Sequence, residues 1–170
     1  RQKLDAWVQL ENAEKGIIHL NIFYLQLSSD PNDYVSAVKE RPVLSSSVLA
    51  IYIDSARFYI IPPPKVLPDT SVRISIGSVT QTSKTVPNSD RPVFEQGLTF
   101  LVNDPQYDNL HLELIGNDSQ ILGVYNFKLE QLLKLKNMEI LQKRCSLVKS
   151  YSEAMVDVSM RLKVLKNILM

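Results

Sequence analysis

The sequence predicts an all-β fold, an antiparallel sandwich of short strands with one short helix, preceded by an extra N-terminal pair of strands. Apolar and polar residues alternate with a period of two, helical periodicity is rare, and Gly, Pro, Asn or Asp separates the alternating runs. With 170 residues, of which 45% are hydrophobic and 22% charged, the chain is long and apolar enough to form the core of one domain.

The clearest predicted strand lies near the C-terminus. There the alternating residues from Val156 to Val164 are apolar, while the residues between them are polar, which is typical of a sheet with one solvated side. Similar runs occupy residues 18–24, 49–53, 72–76, 98–102 and 110–114. The exception is the segment 129–136, whose leucine spacing fits one or two helical turns. We expect this helix to cover an open end of the sandwich.

The domain boundaries are predicted from composition and from a weak internal repeat. Residues 28–47 are rich in Ser, Asp and Pro, which indicates a linker or a long surface loop. Residues 60–69 contain four prolines and are expected to form a loop at the rim. Residues 1–27 and the C-terminal 30 residues have the same order of strand, turn and strand. We therefore expect residues 1–27 to close a preceding domain and residues 48–166 to form one complete domain.

Several segments in order resemble a C2 domain of the extended synaptotagmin and tricalbin family. Residues 48–57 resemble an opening strand, residues 68–74 stand where such domains read Ser-Asp-Pro-Tyr, and residues 83–95 place an Asn, a Pro and an aromatic before a strand. Leu122 and Gly123 match the pair that follows the third rim loop, and residues 4–20 are similar to the end of a first C2 domain. The chain thus resembles the second C2 domain together with the end of the first.

The resemblance implies an eight-stranded sandwich that is closed by its last strand. It leaves the N-terminal strand pair without its own domain, so its apolar residues are expected to fold back on the intact domain or to add a strand in a second copy. The candidates for such self-association, and hence for a homodimer, are Ile18, Leu20, Ile22, Phe23 and Leu25.

Many C2 domains bind calcium through about five aspartates on two rim loops, because the hard dication needs six to eight oxygen ligands. Here Asp69 occupies the usual position in the first loop, but the other ligand position of that loop has no acidic counterpart. In the third loop only Asp118 remains. Two residual acids are too few for a useful cage, so the sequence predicts no metal, no other cofactor and calcium independence.

Positive charge is concentrated near the C-terminus, where residues 128–170 carry nine Lys and Arg against four Asp and Glu. A solvated basic surface is the commoner cause of such asymmetry, and an anionic membrane surface is the sharper candidate partner. The candidate lipid-binding residues are Lys128, Lys134, Lys136, Lys143 and Arg144. The strands expected to form the concave face offer only Arg73 and Lys84, which is a weak signal.

No motif indicates catalysis, and the net charge of +1 gives no footprint for nucleic acid. The single cysteine, Cys145, excludes a disulfide framework and is expected to be packed in a strand. By resemblance, the chain is expected to be a non-enzymatic, calcium-independent module of a membrane-tethering lipid-transfer protein. Such a protein lies on the cytoplasmic face of the endoplasmic reticulum membrane, at contacts with the plasma membrane. The module would serve as a scaffold beside a neighbouring C2 domain; the alternative is a phosphoinositide- or anionic-lipid-binding module.

Overall fold

The computed structural model describes residues 3–12, 15–40, 45–60, 65–148 and 152–167. The strands among them are β1 Lys3–Gln9, β2 Ile17–Phe23, β3 Leu25–Ser28, β4 Ser47–Ile60, β5 Ser71–Ile76, β6 Val79–Thr82, β7 Val93–Val102, β8 Asn109–Ile115, β9 Ile121–Lys128, β10 Glu139–Leu147 and β11 Ser152–Asn167. The helices are α1 Asn32–Glu40 and α2 Glu130–Leu133.

Two antiparallel sheets form a sandwich, each with four strands in its main order and with β3 added to the first sheet as a fifth. The first sheet has the strand order β10-β11-β4-β7, and the second has the order β6-β5-β8-β9. The eight-stranded antiparallel sandwich is therefore confirmed, and β11, the last strand, lies inside the first sheet between β10 and β4. The short strand β3 pairs with the far end of β11, beyond the part that β10 covers.

The core lies between the two sheets and follows the alternation in the sequence. On β11 the five residues predicted to share a face, from Val156 to Val164, are at most 3% exposed. They face apolar side chains of the second sheet, among which Ile74, Leu112 and Leu114 are at most 1% exposed. Burial of each such side chain contributes about 1.5–3 kcal/mol, so this interior is the main source of stability.

One side of the sandwich is closed where β9 meets the end of β10. Val124 and Val148 exchange backbone hydrogen bonds of 3.2 and 2.8 Å there, which links the two sheets. Gly123 permits this approach, because a Cβ atom at that position would lie 2.6 Å from the Cβ atom of Leu147. The glycine of the Leu-Gly pair that follows the third rim loop is thus required by packing.

The helix predicted within residues 129–136 is present, although α2 is only four residues long and is followed by a 3-10 turn at Lys136–Met138. Leu129 and Leu132 are fully buried and cover the end of the sandwich, as expected. Neither described helix is long and apolar enough to cross a membrane.

The segment 28–47 differs from the expected linker or surface loop, because it contains the helix α1. Asp30 caps this helix by accepting the backbone N–H of Asn32 at 2.9 Å, and Pro31 immediately precedes Asn32, where its fixed φ suits the start of a helix. Tyr34 and Ala37, three residues apart, are buried in the core. Ser, Asp and Pro were abundant enough to indicate a linker, but two of these residues, Asp30 and Pro31, form the start of a helix.

The N-terminal residues form the predicted strand pair. β1 and β2 make a separate two-stranded antiparallel sheet, in which Leu4, Ala6 and Val8 lie opposite Ile22, Leu20 and Ile18. The chain then continues directly into β3, which pairs with β11. The end of the N-terminal segment therefore folds back on the sandwich within the same chain.

Candidate functional site

The rim of the sandwich, where C2 domains hold calcium, is the first candidate site. Asp69 lies in the first rim loop, and its backbone N–H donates to Asn117 Oδ1 in the third loop at 2.9 Å. The carboxylate of Asp69 accepts the backbone N–H of Asn88 at 3.0 Å, where Asn88 has a positive φ of 46°. Asp69 thus caps a turn and joins neighbouring loops, which accounts for its presence without a metal.

Asp118 lies in the 3-10 turn Asn117–Ser119, has a positive φ of 51° and is exposed. Residues 61–64 of the first loop lie outside the described residues, but their sequence, Ile-Pro-Pro-Pro, contains no side-chain oxygen. Within the described ranges, no three His, Cys, Asp or Glu side chains are grouped so that they could hold a metal ion. The rim that the structure describes therefore has a poor ligand set for calcium.

The candidate lipid-binding residues do not form one surface. Lys128, Lys134 and Lys136 lie around α2, at the end of the sandwich opposite the rim loops, and all three are exposed. Lys134 forms an ion pair with Glu130, one helical turn away. That pairing lowers the pKa of Glu130 and reduces the net charge that this end presents.

The other two candidate cations lie on β10 and point to opposite sides of the sheet. Lys143 Nζ lies 4.7 Å from the centre of the Phe127 ring, a cation–π arrangement at the edge of the sandwich. Arg144 lies on the outer face, where its guanidinium makes two hydrogen bonds of 2.9 and 3.0 Å to Asp157. The structure therefore brings together three of the five predicted cations and separates the other two.

The outer face of the second sheet has little free positive charge. Arg73 Nε donates to Glu113 at 2.7 Å, and His111 lies 3.4 Å from the same carboxylate. Desolvation raises the pKa of Glu113, but the hydrogen bonds and charges of Arg73 and His111 outweigh it and hold that pKa below its ordinary value. Arg73 is thus already neutralised by its own sheet. Cys145 is packed as expected, and burial raises the pKa of its thiol.

The junction, which we define as β3, α1 and their contacts with β11, is a second candidate site. β3 pairs with β11 in antiparallel register from Ser28 opposite Val164 to Leu25 opposite Asn167. Lys166 Nζ on β11 donates to the Asp33 carboxylate of α1 at 2.9 Å. The hydrogen bond from the Ser28 hydroxyl and the one from Lys166 hold the pKa of Asp33 below its ordinary value.

A second contact attaches α1 to the loop between β7 and β8. The Tyr34 hydroxyl donates to the carboxylate of Asp104, which lies in the loop between β7 and β8. Burial and this hydrogen bond raise the pKa of the Tyr34 phenol well above its ordinary value. The chain segment that enters the sandwich is thus attached by backbone pairing, an ion pair and a buried phenol. The amino-acid composition of this segment did not indicate these contacts. The Asp-Pro pair and the spacing of Tyr34 and Ala37 are the sequence features that indicate a helix with one buried side.

The hairpin of β1 and β2 presents an apolar face. The side chains of Leu4, Val8, Ile18 and Ile22 are 41–54% exposed, and Leu20 is half-buried among them. Leu25 is half-buried in β3, and the Phe23 side chain lies outside the described residues. The opposite face is mixed: it has the polar residues Asp5 and Asn21, the exposed Ile17, and Trp7 stacked on His19 at 4.5 Å between ring centres. No described residue outside the hairpin belongs to its sheet, so the face resembles one half of a sandwich without its other sheet.

A comparison with protein families identifies the sandwich, since the family model for the C2 domain matches residues 47–147. The chain belongs to the C2 domain family. Its C2 domain is homologous to those of the extended synaptotagmins. Extended synaptotagmin-2 of Mus musculus is 32% identical over 174 aligned positions, which cover 95% of this chain. Extended synaptotagmin-1 of Homo sapiens is 32% identical over 141 positions, which cover 76% of this chain.

Solved structures agree with this assignment of the C2 domain. The calcium-bound pair of C2 domains of extended synaptotagmin 2 matches 99% of this chain with a TM-score of 0.83 and 29% identity, over 62% of that structure. A longer structure of the same protein, which combines an SMP domain with two C2 domains, matches 96% of the chain with a TM-score of 0.82 and 28% identity, over 38% of its length. The chain spans about a fifth of the curated relative from Mus musculus, 20%, and 12% of the human one.

Proposed function

We propose that this C2 domain is a calcium-independent scaffold module of a membrane-tethering lipid-transfer protein. Its parent protein would act on the cytoplasmic face of the endoplasmic reticulum membrane, at contacts with the plasma membrane. The homology to extended synaptotagmins supports this setting, and this chain's own contacts support the scaffold role. The observation that carries it is the junction, in which β3 extends the first sheet and α1 is held by Asp33 and Tyr34.

The partner that the junction would position is a neighbouring C2 domain. We propose that residues 1–27 are its closing strands, that residues 28–47 connect the two domains, and that residues 48–166 form the second domain. Three observations support this division. The β1–β2 hairpin has one apolar face of six residues, the β10–β11 hairpin has the same arrangement inside the sandwich, and the match to a pair of C2 domains extends over 99% of the chain.

The acidic residues of the rim loops and their contacts support calcium independence. Asp69 is used as a turn cap, Asp118 is exposed on a tight turn, and the described residues contain no group of three potential metal ligands. A cation that needs six to eight oxygen ligands gains little from two separated carboxylates. We accordingly expect the protein to act as a non-enzymatic structural element rather than as a calcium sensor.

Sedimentation with liposomes tests this proposal. The full chain is mixed with vesicles of phosphatidylcholine and phosphatidylserine, in calcium and in chelator, at low and at physiological salt. The proposal predicts the same small bound fraction with and without calcium. Binding that requires calcium and is lost in Asp69→Asn would contradict it, because Asp69 would then be a ligand.

The alternative function, binding to anionic lipid through the lysines around α2, has one supporting observation: Lys128, Lys134 and Lys136 are exposed at the same end. Each such lysine contributes about 1 kcal/mol near an anionic surface, which gives weak adsorption that salt weakens. The same sedimentation assay distinguishes the two functions. Under the alternative, binding in chelator is lost in Lys134→Glu with Lys136→Glu. It is retained in the matched double variant Lys65→Glu with Lys84→Glu at the other end.

A further inference from the structure

Two arginines lie directly opposite each other on the outer face of the first sheet. The pairing of β4 with β7 ends with Ser55 opposite Val93, and the backbone contact continues beyond it. The Ala56 N–H donates to the carbonyl oxygen of Pro92 at 2.9 Å, and the Phe58 N–H donates to that of Asp90 at 3.1 Å. Arg57 is therefore opposite Arg91 at a position without mutual hydrogen bonds, where facing side chains approach most closely.

This arrangement is unfavourable for the protein alone. Like charges directly opposite each other on a sheet are destabilising. Arg57 and Arg91 are both exposed, and no carboxylate among the described residues forms an ion pair with either guanidinium. The described residues therefore hold these two positive charges side by side, with no ion pair to either of them. A counter-charge that comes from outside the chain would remove the repulsion.

A third arginine completes the surroundings of this pair. Arg57, Arg91 and Arg144 line one depression of about 150 Å³, together with the apolar side chain of Met155. Asp157 holds Arg144 in place through two hydrogen bonds of 2.9 and 3.0 Å. Three arginines and one aspartate leave a net charge of about +2 around a partly apolar floor.

The shape of this face has a backbone origin. Register shifts occur in three adjacent strand pairs, at Ile53/Ser55 between β4 and β7, at Asp157/Val158 between β11 and β4, and at Ile140/Lys143 between β10 and β11. Bulges bend a strand, increase its twist and change where side chains point, and they are frequent beside binding sites. The depression lies next to this row of irregularities.

We propose that this depression is a binding site for a phosphate monoester, held between Arg57 and Arg91 with Arg144 as its third wall. A phosphate monoester carries about −1.5 to −2 charges at neutral pH, which matches the net charge of the depression. The planar guanidinium group makes two parallel hydrogen bonds to phosphate oxygens, so arginine suits this ligand better than lysine does. The site is separate from the lysines around α2. Arg91 belongs to the same loop as Asn88, which contacts Asp69, but neither Asp69 nor Asp118 lines the depression. The site goes beyond the scaffold role without depending on it.

An NMR titration of the full chain with inorganic phosphate tests the site, at constant ionic strength maintained with chloride. Wild type is expected to show saturable shifts of the backbone amides at residues 55–57, 91 and 155–157. In Arg57→Gln with Arg91→Gln the dissociation constant is expected to rise about tenfold or more, since hydrogen bonds between ionised groups are the strong ones. The matched variant Lys65→Gln with Lys84→Gln removes two charges elsewhere and should keep the wild-type affinity.

Thermal unfolding gives a second readout that does not depend on the titration. Phosphate is expected to raise the melting temperature of wild type but not of the arginine double variant, because a ligand stabilises only the state that binds it. Without phosphate, Arg91→Gln alone is expected to melt above wild type, because it removes the repulsion. Equal affinities in the two double variants, or shifts that never saturate, would refute the site.

Vesicles distinguish the two sources of such a phosphate. Phosphatidylcholine vesicles with and without phosphatidylinositol phosphate are sedimented in chelator with wild type and with Arg57→Gln, Arg91→Gln. Binding that requires the phosphoinositide and is lost in the variant assigns the site to a lipid headgroup. Saturable binding of inorganic phosphate without vesicle binding assigns it to a soluble phosphate monoester. Calcium plays no part in this assay, so its outcome is independent of the test of the proposed function.

Discussion

The hairpins β1–β2 and β10–β11 are built from the same kind of sequence but have opposite surroundings. In β10–β11 most apolar residues face the second sheet, although Leu141 on β10 is exposed, and those of β11 from Val156 to Val164 are at most 3% exposed. In β1–β2 the apolar face is equally continuous, yet Leu4 and Ile22, which lie opposite each other, are 54% and 53% exposed. The two hairpins therefore differ in whether a second sheet covers their apolar face, and not in the pattern of their strands.

This comparison shows what an alternating pattern determines. Alternation favours an extended backbone and determines which residues share a face. Both hairpins have an extended backbone and an apolar face. Burial then requires a second layer, which β10–β11 has in this chain. A two-stranded hairpin alone is marginally stable in water, so the N-terminal pair depends on what covers it and on the connection through β3. We infer that most of the chain's folding free energy comes from the sandwich.

The largest expected effect follows from this difference. Leu162→Ala on β11 is expected to lower the free energy of unfolding by about 2–5 kcal/mol, because it leaves a cavity in a packed core. Ile22→Ala on β2 removes a side chain that is already half in water, so a change of less than about 1 kcal/mol is expected. Urea unfolding monitored by circular dichroism measures both. Similar losses in the two variants would show that the hairpin is part of the cooperative core.

The strand pattern explains why so much of the fold was predictable. Residues 18–24, 49–53, 72–76, 98–102, 110–114 and 156–164 lie in strands almost throughout, because each run alternates over a sheet with one buried face. The helix α1 was missed because its polar residues dominate the composition. Among its described side chains, Tyr34 and Ala37 are buried and Val38 packs against the core. Residues 25–27 of β3 fall within the predicted N-terminal strand pair, but their separation from β2 and their pairing with the end of β11 could not be predicted, since a strand partner is not encoded in four residues.

An intermediate effect is expected where the two sheets approach. Gly123→Ala places a Cβ atom 2.6 Å from the Cβ atom of Leu147, and neither atom can move by a side-chain rotation. The backbone of β9 or β10 must shift, at a cost of about 1–3 kcal/mol. The control is Gly97→Ala on β7, where a Cβ atom has no neighbour within 4 Å. That variant is expected to be neutral or slightly stabilising in the same urea experiment, and equal losses would contradict the packing argument.

The candidate sites were less predictable than the fold because they depend on the direction of side chains across strands. The sequence places Lys143 and Arg144 next to each other, but neighbouring residues of a strand face opposite sides. Arg57 and Arg91 are 34 positions apart in the sequence, and only the register of β4 with the segment before β7 brings them together. Counting charges along the sequence reveals neither the opposite directions of the first pair nor the proximity of the second. The rim acids were predictable because they are local to their loops.

The smallest expected effect concerns the junction and its dependence on pH. The folded-state pKa of Asp33 lies below its ordinary value of 3.8, first because of the Ser28 hydrogen bond and then because of Lys166. The stabilisation is therefore fully present above pH 3.8 and is lost as the pH falls through the folded-state pKa. Hydrogen exchange of the β3 amides, compared with those of β4, is expected to show weaker protection at acidic pH.

Asp33→Asn makes this prediction specific to the junction. The variant lacks the charge, so its β3 amides are expected to be less protected than those of wild type at neutral pH, with the difference disappearing in acid. Asp118→Asn, in the exposed turn of the third rim loop, is the matched control and should behave as wild type at every pH. If Asp33→Asn keeps wild-type protection of β3 at neutral pH, the ion pair with Lys166 does not hold the junction. The backbone pairing of β3 with β11 and the Tyr34 contact would then be sufficient to fix the N-terminal segment.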